Sequence, residues 1–169
     1  MELRIRTEDE RSSPMTLARS EGGPASAERV TRSVELDAAP AAVWDALTED
    51  ALLGEWLADE VELEAEPGGE IVCRYADGEE RRGEVELVEE AERLAWSWWR
   101  GDDAGPSRVE LVLDPVAEGT RLTVIETQSP VLETGALRAT GPLLIAGAHG
   151  TDWGPPLARL RAAVRLVLA

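Results

Sequence analysis

A chain of 169 residues can bury one substantial core, and 34 acidic against 17 basic side chains leave it a formal net charge of -17. Such a body repels phosphate backbones and anionic membranes, which argues against nucleic acid and lipid surfaces as partners. One cysteine (Cys73) and one histidine (His149) exclude an intramolecular disulfide and a Cys/His zinc cluster, so neither metal nor cofactor is expected.

All 17 basic residues are arginine, while lysine, asparagine and phenylalanine are absent. The codons of those three are AT-rich, so the bias reads as a GC-rich genome and not as recognition of phosphate. No apolar run approaches the ~18–20 residues of a membrane span. The opening MELRIRTEDE lacks the apolar core of a signal peptide, and a cytoplasmic protein is expected.

Residues 1–28 are polar, mixed in charge and broken by Ser12-Ser13-Pro14 and Gly22-Gly23-Pro24, which predicts a flexible arm. Residues 29–169 form the domain. Arg29–Leu36 alternates and reads as a first strand. Asp37 offers an N-cap, with Pro40 in the first turn of a helix that buries Val43, Trp44 and Leu47. A second short helix, Glu49–Leu57, turns Leu52, Leu53 and Trp56 inward, with Gly54 a candidate break or tight contact.

From Asp59 to Gln128 the period is two. Strands are predicted near 60–65, 70–76, 80–89, 92–99, 107–114 and 120–127, separated by turn signals such as Pro67-Gly68-Gly69 and Asp77-Gly78. Short turns give an antiparallel meander with one covered face. That face carries Ile71, Cys73, Tyr75; Val85, Leu87; Leu94, Trp96, Trp98; Val109, Leu111, Leu113; and Leu122, Val124, Glu126. Trp99 points the other way. The acidic runs Asp59–Glu66 and Glu84–Glu90 alternate with apolar residues and read as the wet face, not a metal site.

Ser129–Gly150 is a long connection, a candidate lid or a loop holding a short helix. In Thr151–Ala169, Trp153, Leu157, Leu160, Val164, Val167 and Leu168 form one apolar stripe. An amphipathic helix there needs a concave partner, and the sheet is the one available. Pro155-Pro156 places regular helix near Pro156 and leaves Trp153 on a preceding turn. Leu166 falls on the outer side, which leaves a homodimer contact open.

The order of strand, two short helices, six-stranded meander, long loop and terminal helix is an α+β helix-grip arrangement. The segments Ala39–Thr48, Trp56-Leu57, Glu66–Glu70, Asp77-Gly78, Gly83–Val85, Glu92–Leu94, Trp96–Trp98, Gly119–Thr123 and Leu157-x-x-Leu160 stand in matching order. In them the chain resembles the SRPBCC (START-like) superfamily, in the branch related to the activator of the heat-shock chaperone ATPase. The resemblance spans about Val30–Leu168. It departs where Gly-Pro-Pro follows Trp153, since relatives usually open this helix with Gly-Trp and no prolines.

The resemblance implies a cavity between the curved sheet and the terminal helix that takes a small apolar or aromatic molecule. Trp56, Trp96, Trp98 and Trp153 are candidate walls, with Leu157 beside them and the Tyr75 hydroxyl at the rim. The same indoles also read as plain core. Glu126 is the sharpest residue: a carboxylate facing an apolar cavity has its pKa raised and holds or protonates a ligand group. Otherwise it is a strand-end carboxylate, in water or paired with arginine. His149, a lone loop histidine, would join Glu126 in the one acid/base pair available. Cys73 reads as an inert small hydrophobe. Non-enzymatic ligand binding is the leading expectation. A chaperone-activator-like module with a protein partner and a polyketide cyclase or dehydratase are the alternatives.

Overall fold

The computed structural model describes residues 29–101, 105–128 and 151–167. The arm of residues 1–28, the 129–150 connection and His149 lie outside the described residues. The elements run β1 (Arg29–Leu36), α1 (Pro40–Thr48), α2 (Asp50–Trp56), β2 (Glu60–Leu63), β3 (Glu70–Arg74), β4 (Glu80–Glu89), β5 (Arg93–Arg100), β6 (Ser107–Val116), β7 (Gly119–Gln128) and α3 (Gly154–Val167). The strands form one antiparallel sheet in the order β1-β7-β6-β5-β4-β3-β2. β2 to β7 are consecutive neighbours, as their short turns dictate. β1 and β2 stand at opposite edges, so α1 and α2 must carry the chain across the sheet. α3 packs against α2, α1 and β1. This is the helix-grip fold.

The period-two stripes meet in one core. Leu36, Ile71, Cys73, Val85, Leu94, Trp96, Trp98, Val109, Leu111, Leu113, Leu122 and Val124 are buried from the sheet. Val43, Leu47, Leu53 and Trp56 join them from α1 and α2, and Leu157, Leu160 and Val164 from α3. Trp99, next to buried Trp98, is 44% exposed, as strand alternation requires. Leu166 is 79% exposed on the outer side of α3.

Three local expectations need correction. The N-cap of α1 is Ala39, without a side-chain cap bond, and Pro40 sits at its first position. Asp37 instead accepts from Arg165 of α3 at 3.1 Å. Gly54 does not break α2, which continues to Trp56. Leu87 is not on the core face. The β4–β5 register slips between Val85 and Leu87, a β-bulge that reverses the parity, so Val88 packs against the core in its place.

The terminal helix begins where the prolines allow. Gly154-Pro155-Pro156 occupies its first turn, where missing N–H groups leave no broken bond, and Trp153 lies just before it. Among the described residues, no helix is long and apolar enough to cross a membrane.

Candidate functional site

The sequence-selected residues separate into two groups. Trp56 is fully buried in the helical layer, where its Nε1 donates to the Ala46 carbonyl at 2.9 Å. That bond joins α2 to α1 and uses the indole's single donor. Trp96, Trp98, Glu126 and Trp153 gather at the inner face where β5 ends, β6 begins and β7 ends. Parity explains the gathering. Trp98 lies opposite Gly83 on one side and Ser107 on the other, and Glu126 lies opposite Val109.

Gly83 gives Trp98 its room. A Cβ there would overlap the Ser97 carbonyl oxygen and press on Ile71 Cγ2 and Trp98 Cβ. The Trp98 ring stacks on Trp153 with centroids 6.0 Å apart and planes 14° from parallel. Trp96 meets Trp98 edge-on at 5.7 Å and 75°. Such pairs add to what area burial alone supplies. Trp96, Trp98 and Trp153 are each about 1% exposed, and Leu157 is also buried.

Glu126 is 2% exposed and surrounded by donors. Its Oε1 accepts from Ser107 Oγ at 2.7 Å, Thr151 Oγ1 at 3.3 Å and, at the long distance of 3.4 Å, Trp98 Nε1. Its Oε2 accepts from the Thr151 backbone N–H and from Trp153 Nε1, both at 2.9 Å. A buried carboxylate is tolerable when its lone pairs are engaged in this way.

A cation stands one residue away. Arg81 Nη1 donates to Thr151 Oγ1 at 2.6 Å, so the threonine hydroxyl links guanidinium to carboxylate. The Arg81 guanidinium carbon lies 4.8 Å from the Trp98 ring centroid and 5.7 Å from that of Tyr75. Glu79 pairs with Arg81 at 2.8 Å. Tyr75 follows the end of β3 and is half-buried; burial pushes its phenol pKa up, against the opposing charge of Arg81. Burial likewise pushes the Cys73 thiol up to about 12, again against Arg81, which keeps the sulfur protonated and unreactive.

Sequence reasoning passed over Arg81, Ser107 and Thr151. The signal for the first two was parity. Arg81 shares a face with Gly83 and Val85, and Ser107 with Val109 and Leu111. Thr151 lies in no strand or helix, so no periodicity marks it.

One polar atom stands apart. Trp96 Nε1 is buried and, among the described residues, has no hydrogen-bond partner. An unpaired buried donor costs about 1–3 kcal/mol. No cluster of three or more metal-ligating side chains occurs among the described residues. An open depression of about 560 Å³ lies beside Arg82 and Trp99, with none of the sequence-selected residues in its lining.

Residues 37–142 match the family described as "Activator of Hsp90 ATPase homolog 1-like protein". The chain belongs to this family. The Hsp90-activator-like family is part of the SRPBCC superfamily. Solved structures agree on the fold. A Rhodobacter sphaeroides protein is 34% identical over 63% of this chain and 77% of its own, with a TM-score of 0.53. A Chromobacterium violaceum protein, CV1439, is 18% identical over 80% of this chain and 96% of its own, with a TM-score of 0.61. DynU16, a protein of the dynemicin biosynthetic locus, is 22% identical over 81% of this chain but 47% of its own, with a TM-score of 0.64. No curated relative matches the chain.

Proposed function

We propose that this Hsp90-activator-like domain binds a small apolar or aromatic molecule non-covalently between the sheet and α3. The observation that carries the reading is the Trp96 indole N–H, buried at the edge of a three-indole cluster with no acceptor among the described residues. Native interiors pair nearly all such donors, so an orphan needs an explanation. A ligand carrying a carbonyl or ring nitrogen supplies that acceptor, and the indoles supply flat apolar walls. The reading is of a binder and not a catalyst, because both oxygens of Glu126 are already committed to the protein's own donors.

The test is native mass spectrometry of gently purified protein, with titration of the ligand-free chain by 8-anilinonaphthalene-1-sulfonate. Retained mass, or saturable quenching of tryptophan emission, is expected. Trp96→Phe should weaken either signal about tenfold, the value of one hydrogen bond formed in a dry site, while far-ultraviolet circular dichroism stays unchanged. A chain that carries nothing and gives no saturable quenching defeats the proposal.

The family description and exposed Trp99 favour a second reading, a surface that docks a chaperone-type protein. Trp99→Ala separates the two. It should abolish stimulation of a chaperone ATPase under the second reading and leave small-molecule retention intact under the first.

A further inference from the structure

The segment that closes the indole cluster is fastened to the sheet in an uneven way. Among the described residues, the direct polar bonds between the sheet and the start of α3 involve two sheet side chains, Glu126 and Arg81. Glu126 takes the Thr151 amide and hydroxyl and the Trp153 indole N–H. Arg81 donates to the Thr151 hydroxyl oxygen from the other side. At the far end of α3 the described residues form one exposed ion pair, Arg165 to Asp37, while Leu160 and Val164 are buried. The far end is therefore held by apolar contact, and the near end by a carboxylate in addition to the buried Trp153 and Leu157 side chains.

These two attachments respond differently to disturbance. Apolar contact tolerates small shifts, whereas hydrogen bonds to a buried charge are short-ranged and are lost together. The local sequence suits a hinge. Pro155 and Pro156 donate no backbone hydrogen bond, so the Thr151 and Asp152 carbonyls receive no helical N–H from them, and one helical bond, from Leu157 to Trp153, ties the segment to α3. Two ties remain within the chain there, Gly154 N–H to Asp152 Oδ1 at 3.1 Å and Leu157 N–H to the Trp153 carbonyl at 3.1 Å.

We infer that Thr151–Trp153 is a strap buckled onto Glu126, and that its release, with the rest of the fold intact, is what opens the indole cluster. Glu126 is on this account a positioning residue acting through Thr151 and Trp153, not a contact to ligand. The inference rests on the proposed binding site for its purpose, since a strap over a site that takes nothing has no use. Its physical content is independent of any ligand.

Three groups in the chain report the opening, two strap protons directly and one thiol through its place opposite Arg81. The Trp153 indole N–H and the Thr151 amide exchange with solvent only when the strap is off. Cys73 is the sole thiol, buried on the inner face directly opposite Arg81, and is labelled only when that region opens. In native-state hydrogen exchange followed by NMR, the two strap protons should exchange at least about tenfold faster than the amides of Leu111 and Val124. Glu126→Gln puts an amide NH₂ among donors. It should speed strap exchange and Cys73 labelling by iodoacetamide at least about tenfold more than strand exchange.

Trp153→Phe keeps a ring and removes one bond to Glu126. It should do the same to a smaller degree, and it carries the test if Glu126→Gln fails to fold. Strap protons that exchange in step with β6 and β7, or variants that speed all protons equally, overturn the inference. Failure of the binding titration with a separately opening strap sinks the binding site and leaves the strap standing.

Discussion

The two faces of this sheet use the same carboxylate chemistry to opposite ends. The outer face is a lattice of arginine and glutamate in which several groups have more than one partner and stand partly exposed to solvent. Arg74 reaches Glu62 at 2.8 Å, Glu80 at 3.1 Å and Glu60 at 3.7 Å, and Arg82 reaches Glu80 at 2.7 Å and Glu70 at 3.5 Å. Arg108 spans Glu86 at 2.6 Å and Glu110 at 2.8 Å, while the Ser97 hydroxyl donates to Glu86. Among the described residues, the inner face has one buried carboxylate, Glu126, whose partners are neutral donors and whose linked cation is relayed through Thr151. Outside, loss of one partner leaves another partner or solvent in its place. Inside, neither substitute exists.

The largest expected effect comes from breaking the inner arrangement. Glu126→Ala leaves the Trp153 indole, the Thr151 amide and the Ser107 hydroxyl without their acceptor in a closed site. A loss of about 3–5 kcal/mol is expected, read as a fall in the urea midpoint. Salt should hardly change it, because buried groups are weakly screened. A loss under about 1 kcal/mol would mean that water enters and takes over as donor and acceptor.

Gly83→Ala comes next. The added methyl has no space between the Ser97 carbonyl, Ile71 and Trp98, so β4 and β5 must part or Trp98 must turn. Overpacking of this kind costs about 2 kcal/mol. Near-ultraviolet circular dichroism should change with it, because the Trp98–Trp153 stack is disturbed. A stability loss with an unaltered aromatic signal would place the strain in the strand pairing alone.

How far this contrast could be read from sequence depends on what each signal carries. Alternation in β6 and β7, and in β3 and β5 apart from Val72 and Ala95, assigns both faces, and it puts Glu126 inside and Trp99 outside before any coordinates. It fails at Leu87, because a β-bulge is an extra residue in one strand and leaves no mark in local hydrophobicity. It also undervalues Arg81. An Arg-Arg pair reads as solvent-facing, whereas the long stem of Arg81 lets its head lie over Trp98. The clasp on Thr151 was not legible at all, since it joins residues 25 positions apart through a segment with no period.

The outer lattice should give way more gently. Arg108→Ala removes two ion pairs and is expected to cost less than about 1 kcal/mol, because both are partly exposed and solvent-screened. Raising salt to about 1 M, where the screening length falls to about 3 Å, should shrink the difference further. A loss as large as that of Glu126→Ala would erase the distinction between the faces and show the lattice to be a second core.

The smallest effect separates charge from packing within that lattice, and its sign follows from Glu86. Partial burial raises the pKa of this carboxyl, but bonds from the Ser97 hydroxyl and the Arg108 guanidinium outweigh burial and hold it below its ordinary value. In the unfolded chain those bonds are gone and the ordinary value returns. Between the two pKa values the unfolded state binds more protons, so stability rises with pH through that window. The contribution of Glu86 is therefore complete above the ordinary carboxylate pKa and disappears as pH falls through the lowered folded one. Comparison with Glu86→Gln isolates it. The difference in unfolding midpoint between parent and variant should be greatest near neutral pH and vanish in acid below the folded pKa. A difference that persists there belongs to shape and not to charge, and Glu86 would then behave like a buried residue on the wet side of the sheet.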